Sequence, residues 1–283
     1  MKISFWSPVH GQSGTTSNIL IISLLAGMLY KKSGILTQTQ FNYNNLEAPL
    51  VGSNSKNTAS YAFFQDVGLD ALIRYFKASR LTREIIENCC ISLKNTNVSL
   101  LPGTSKNNRD YFDYEMETVL LNLIRSMEDW RDLIYIDVNS GSNLLSWKII
   151  ADSDLTVVNL SQNLSVVDHY FECFRDQIHS KIFYLFGNYD CNSKYNINNI
   201  RRRYHKEITI FNSGVIPYST TYLDAQCDGK VIDFIRNNLL CGKDDENHYL
   251  MLKARGAARK ILMMAGLEIS VEERMESNGL FAK

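Results

Sequence analysis

The feature that most constrains this 283-residue chain is a recurrence of short apolar runs, each followed by a segment of helix length. Residues 3–7, 35–39, 98–101, 133–138, 155–160 and 181–186 read as strands, with shorter ones at 208–211 and 215–216. Apolar runs that do not alternate with polar residues suit strands covered on both faces. Helices are expected over 18–32, 60–76, 82–90, 111–130, 144–151, 166–177, 197–204 and 231–238, with a short one near 223–225. A polar stretch over 42–58 interrupts the pattern. Strands alternating with helices predict an α/β architecture: a doubly wound, mostly parallel sheet with helices on both faces and right-handed crossovers. No repeat or linker divides the chain, so residues 1–241 are expected to form one domain. Residues 242–283 add a charged break, a closing helix over 249–267 and a loose tail, expected to pack on the same domain.

Charge gives little direction. Thirty Lys and Arg balance thirty Asp and Glu, so no global field draws the chain to nucleic acid. The six cysteines form no C-x-x-C pair and sit near no zinc-spaced histidine, which fits free thiols. The longest apolar stretch, 19–30, is too short to span a bilayer. A cytoplasmic protein is expected, at most peripheral to a membrane surface or cell pole.

The first strand runs directly into Pro8-Val9-His10-Gly11-Gln12-Ser13-Gly14-Thr15-Thr16-Ser17 and then a helix. In doubly wound sheets ligands sit at the carboxyl ends of strands. Backbone N–H groups of such a loop, backed by a helix N-terminus, form an anion nest. Gly11 and Gly14 permit the turns it needs. Thr16 and Ser17 carry hydroxyls suited to a metal ion or phosphate oxygen. Taken alone, a Gly/Ser loop at this place is equally a helix cap. The ordinary G-x-x-x-x-G-K-[ST] pattern does not match, because the loop has no Lys.

In its wider context the loop resembles the deviant Walker A motif, K-G-G-x-G-K-[ST]-[ST], of the MinD/ParA ATPases. Thr15 then stands for the loop Lys and His10 for the leading Lys. Thr37 and Thr39 are expected at the family's D-x-D acids, ahead of an N-L-E turn at Asn45-Leu46-Glu47. Leu100-Leu101-Pro102-Gly103 resembles the family's L-P-G segment, and the strand ending in Asp137 with Gly141 beyond it resembles Walker B. The resemblance implies a P-loop NTPase fold, with ATP held by Gly11, Gln12, Ser13, Gly14, Thr15, Thr16, Ser17, Asn188 and Pro217. It implies Mg²⁺ held by Thr16 and Asp137, with Gly141 against a γ-phosphate and Asn188 against adenine. It also implies a homodimer serving a positioning, pilus or secretion system, the decayed motifs being most like the TadZ branch. With the Lys and the acids gone, hydrolysis is expected to be very slow or absent.

Two readings stay open at this point: a nucleotide-binding switch, and a nucleotide-free scaffold acting through protein contacts. An active ATPase using a cation from a second subunit ranks below both. Arg201-Arg202-Arg203, with Lys194 and Lys206, is a DNA-contact candidate or, more commonly for such a run, a solvated helix face. The basic, Met- and Leu-rich helix over 249–267 suits a membrane surface or partner; its Ala254, Gly256, Ala257 and Ala258 favour close packing on the sheet.

Overall fold

A computed structural model describes residues 1–41, 44–52, 67–104, 106 and 108–269. Its strands are β1 Lys2–Trp6, β2 Gly34–Gln38, β3 Ile91–Ser92, β4 Val98–Leu100, β5 Leu133–Asp137, β6 Leu155–Leu160, β7 Lys181–Tyr189 and β8 Ser213–Pro217. They form one sheet in the order β3-β4-β2-β5-β1-β6-β7-β8. Every pairing is parallel except β3 with β4. The two-residue β3 is invisible to a periodicity argument, being too short to show a period.

Strand alternation explains the unbroken apolar runs. Ile3, Phe5, Leu133, Tyr135, Phe183 and Leu185 face one core, whereas Trp6, Ile134, Ile136, Ile182, Tyr184 and Phe186 face the other. Successive side chains point to opposite faces, so a strand buried on both sides must be apolar throughout.

Helices α1 Thr15–Met28, α2 Asn44–Val51, α3 Leu69–Lys77, α4 Arg83–Cys89, α5 Arg109–Met127 and α6 Leu144–Asp152 follow in chain order. Then come α7 Leu164–Cys173, α8 Ile197–Arg203, α9 Thr220–Cys227, α10 Val231–Asn238 and α11 His248–Met264. The helix α1 is buried from Asn18 through Met28 and is therefore apolar all round. With α10 and α11 it covers one face of the sheet; α3, α5, α6 and α7 cover the other.

The sequence expectations need three adjustments. The first helix starts at Thr15, not 18, because glycine at 14 takes the left-handed conformation and lets the helix begin inside the loop. The polar stretch over 42–58 contains α2, and the expected helix over 60–76 is seen as α3 only; 60–66, like 42, 43 and 53–58, lie outside the described residues. Residues 208–211 are a turn, not a strand. Thr209 N donates to Asn212 Oδ1 at 2.7 Å and Asn212 N to Thr209 Oγ1 at 3.3 Å, so local side-chain bonds outcompete the ladder. The helix over 249–267 packs on the sheet: Leu250, Met251, Ala254, Ala257, Ala258, Ile261 and Leu262 are all buried. Its apolar face is spent in the core and is not free to enter a bilayer. Gly214 of β8 makes this approach possible, since a Cβ there would lie 2.9 Å from Ala257 Cβ. Among the described residues no helix is long and apolar enough to cross a membrane.

Ile261 is fully buried and Met263, two residues on, is 56 % exposed. Ile261→Ala should cost about 2–5 kcal/mol in urea unfolding, whereas Met263→Ala should stay within about 0.5 kcal/mol of the parent. Equal effects would mean α11 is not seated as described.

Candidate functional site

β1 lies between β5 and β6, where the chain stops adding strands on one side and starts on the other. Such switch points open a crevice at the strands' carboxyl ends. The loop after β1 crosses it with Gly11 at φ 76° and Gly14 at φ 60°. Gly14 is the N-cap of α1 and offers no side-chain cap. The first-turn N–H groups of a helix have no acceptor within it, so those of Thr15, Thr16 and Ser17 lie at a free helix terminus.

Buried amides and hydroxyls hold the loop. Asn18 Nδ2 donates to the Ser13 carbonyl at 3.0 Å and to Asn159 Oδ1 at 2.8 Å. Asn159 donates in turn to the Trp6 and Val157 carbonyls. Ser7 Oγ donates to Ser13 Oγ at 3.1 Å. The loop backbone lies directly on β7: a Cβ at Gly187 would overlap the Ser13 carbonyl oxygen and come within 2.6 Å of Asn18 Nδ2. Behind the loop, Ser17 Oγ donates to Gln226 Oε1 at 2.6 Å, and Tyr222 of α9 donates its hydroxyl to the Ser17 carbonyl at 2.8 Å.

A cavity of about 170 Å³ opens in front of this loop. One wall is His10, Gly11 and the turn from Gly14 to Ser17; the other is Gln40, Asn45, Asp137, Asn139 and Ser140. Among the described residues no lysine or arginine lines it. Asp137, at the end of β5, is fully buried. Its Oδ2 accepts from Thr16 Oγ1 at 2.7 Å, while Oδ1 accepts no well-formed hydrogen bond. Burial pushes its pKa up to about 6, with Thr16 and Gln40 opposing the shift. A buried carboxylate with one oxygen unsatisfied, beside a hydroxyl and an uncapped helix terminus, fits a hydrated divalent cation with an anion.

The structure thus brings together Gly11, Gly14, Thr15, Thr16, Ser17 and Asp137. Ser13 belongs to the seat of the loop, its hydroxyl turned inward onto Ser7. Gln12 is exposed and does not line the cavity. Asn188 lies against the loop, its amide 3.5 Å from where a Gly14 Cβ would stand. Pro217 pairs with Tyr189 at the end of β8, outside the cavity lining. Gly141 takes the expected left-handed turn at φ 80°, but its N–H already donates to the Ser7 carbonyl at 3.0 Å and so is not offered to a phosphate.

The expected placement of Thr37 and Thr39 at the two acid positions is corrected. Thr37 is buried away from the cavity lining. Thr39 Oγ1 accepts from Asn139 N at 3.0 Å, tying the ends of β2 and β5 together. The amide of Gln40 lines the cavity instead. With the pleat's period of two, the pair of positions falls one residue later, on Gln38 and Gln40. The Asn45-Leu46-Glu47 and Leu100-Leu101-Pro102-Gly103 segments do meet: Gly103 N donates to Glu47 Oε1 at 2.6 Å. Burial raises the Glu47 pKa to about 7.

The arginine run is not one patch. Arg203 pairs with Asp168 at 3.0 Å, Arg201 is turned toward β8 with Nε donating to Ser213 Oγ, and Arg202 is exposed.

Sequence reasoning passes over Asn18, Asn159 and Gly187. Each has a signal: a lone amide in an apolar helix, a lone amide in an apolar strand, and a glycine inside the strand 181–189.

Comparison with solved structures meets this geometry. The septum site-determining protein MinD of Pyrococcus horikoshii OT3, complexed with Mg-ADP, superposes at TM-score 0.67 with 15 % identity, over 94 % of this chain and 97 % of that one. The fold is that of the MinD/ParA P-loop ATPases. A ParA family ATPase from Chlorobium tepidum TLS matches at TM-score 0.66 and 13 % identity, over 91 % and 98 % of the two chains. A chain of the MinC:MinD cell division protein complex from Aquifex aeolicus matches at 0.59 and 15 %, over 95 % and 98 %. The sequence itself matches no protein-family model and no curated protein. The likeness to the MinD/ParA chains therefore resides in the fold.

Two variants probe the site. Gly187→Ala should displace the loop and lower stability by about 1–3 kcal/mol; an unchanged melting curve and unchanged loop amide exchange would refute the close seat. For Asp137, a folded-state pKa above the ordinary 3.8 means that the unfolded chain ionises first as pH rises. Stability from this group is full below pH 4, declines to about pH 6 and stays low above it. Asp137→Asn should therefore raise metal-free stability above pH 6 by up to about 3 kcal/mol and change little at pH 4. A loss of stability at pH 8 would show that the buried carboxylate is compensated.

Proposed function

We propose that this protein is a MinD/ParA-type nucleotide-dependent switch that binds ATP with Mg²⁺ and hydrolyses it slowly or not at all. The unsatisfied, buried Oδ1 of Asp137 beside Thr16 and the uncapped start of α1 carries this reading. Backbone N–H groups from Gly11 to Ser17 would hold the phosphates, Asp137 and Thr16 the metal, and Asn188 the base. Mg²⁺ supplies charge neutralisation of the phosphates when bound.

The residues present also explain slow turnover. Thr15 brings no positive charge to the developing charge on the transferred group. Gln40 can orient a water through its amide, as a glutamine does in some GTP-hydrolysing P-loop proteins, but cannot take the water's proton as a carboxylate can. Affinity should suffer as well, because a charge-assisted contact is missing. Nucleotide would bias the protein toward a homodimer that recruits a protein partner of a positioning system, such as pilus or secretion machinery. A nucleotide-free scaffold is the competing reading, favoured by the absence of any lysine or arginine in the cavity wall.

Calorimetric titration with ATP and Mg²⁺, on the parent and on Gly14→Arg, decides between them. Saturable binding lost in Gly14→Arg, with less than one phosphate released per chain over minutes, is the expected result. No heat and no thermal shift at millimolar ATP would leave the scaffold.

A further inference from the structure

A second concavity lies at the β8 edge of the sheet, between α8, β8 and α11. It is a groove of about 520 Å³, lined in part by Arg201, Lys253 and Lys260 and by the rings of Tyr189 and Tyr249. None of the three cations has a carboxylate within ion-pair distance among the described residues. Arg201 Nε reaches only the Ser213 hydroxyl at 3.0 Å and its Nη1 only the Asn198 amide at 3.5 Å. Lys260 Nζ donates to the Ile210 and Ser213 carbonyls at 2.7 and 3.1 Å. Lys253 lies over the Tyr249 ring at 5.4 Å. Three like charges on a partly desolvated wall are costly unless an anion joins them. Asp190, which acts on Tyr249 beside the groove, makes no ion pair with any of the three.

We propose that this groove is a second ligand site, taking a small organic phosphate whose charge meets Arg201, Lys253 and Lys260 and whose apolar part lies along Tyr249 and Leu252. The size suits a small molecule. The wall mixes aromatic and aliphatic surface with donors of one sign, so charge alone would use only part of it. Nucleic acid fits less well. Lys260 and Arg201 sit on the floor of a concavity, and Arg203 is already paired with Asp168; a duplex backbone needs cations that project. Electrostatics supports the assignment: burial first, then the charges of Arg201 and Lys253, lower the Lys260 pKa to about 8. The other titratable groups lining the groove are Tyr189, Cys191 and Tyr249. An anion would restore the lysine's charge, so binding should weaken as pH rises from 7 to 9, a range over which a phosphate monoester stays dianionic.

The test is calorimetric titration with phenyl phosphate, inorganic phosphate, phenol and a short DNA duplex on the full chain. Parallel titrations on Gly14→Arg exclude binding at the loop after β1. Phenyl phosphate should bind one per chain, more tightly than phosphate or phenol, and equally in Gly14→Arg. Arg201→Gln and Lys260→Gln should each weaken it about tenfold. Lys260 also holds two carbonyls, so Lys253→Gln, at an exposed position with no backbone contact to lose, serves as the variant that keeps the fold; it should weaken binding at least threefold. No binding of phenyl phosphate, binding unchanged by all three substitutions, or binding of the duplex alone would each overturn the proposal.

Discussion

The side-chain amide of Asn18 ties the loop after β1 to the buried interior of β6. One contact holds the Ser13 carbonyl of the loop, the other the buried Asn159 of β6. With Gly187 leaving no room for a side chain beneath it, the loop backbone rests on β7 directly. An anion nest works only if its N–H groups are fixed before the anion arrives, since ordering them on binding would consume the affinity. A flexible Gly/Ser loop becomes a rigid cradle because buried polar groups, each with its partner, clamp it from below.

Around that scaffold the groups facing the cavity are mostly uncharged. Where the resembling motif carries cations the chain has His10 and Thr15, and where it carries carboxylates it has Gln38 and Gln40. Asp137 is the carboxylate of the described cavity lining, and burial raises its pKa toward neutrality. A cation bound at this carboxylate would compete with its proton, coupling metal and proton occupancy at one atom pair.

How much of this is legible in sequence follows from the length scale of each feature. The parallel sheet is legible because burial on both faces forces five consecutive residues of a strand such as 133–137 to be mainly apolar. The loop is legible through the glycines at 11 and 14, whose positive φ is a local requirement. What lies beyond reach depends on one-residue register or on distant pairing. Thr39 and Gln40 differ only in which side of the pleat they take, and no local pattern in 37–40 states it. Asn18 and Asn159 are 141 residues apart, so their pairing is a property of the folded sheet. The turn at 208–211 looks like a strand by composition because the Thr209–Asn212 bonds that prevent it come from the flanking polar residues.

Trp6, the last residue of β1, donates its indole N–H to the Gly141 carbonyl at 3.0 Å and packs against Trp147 and Phe174 with ring centroids 5.4 Å away in both cases. Gly141 closes the turn that follows Asp137, so the indole spans the two segments that form opposite walls of the cavity. Of the three tryptophans, Trp6 is thereby joined to the segment beside Asp137, and its emission is shared with that of Trp147 against it. A ligand that altered the surroundings of these rings would change the protein's own emission, so occupancy would be readable without a label.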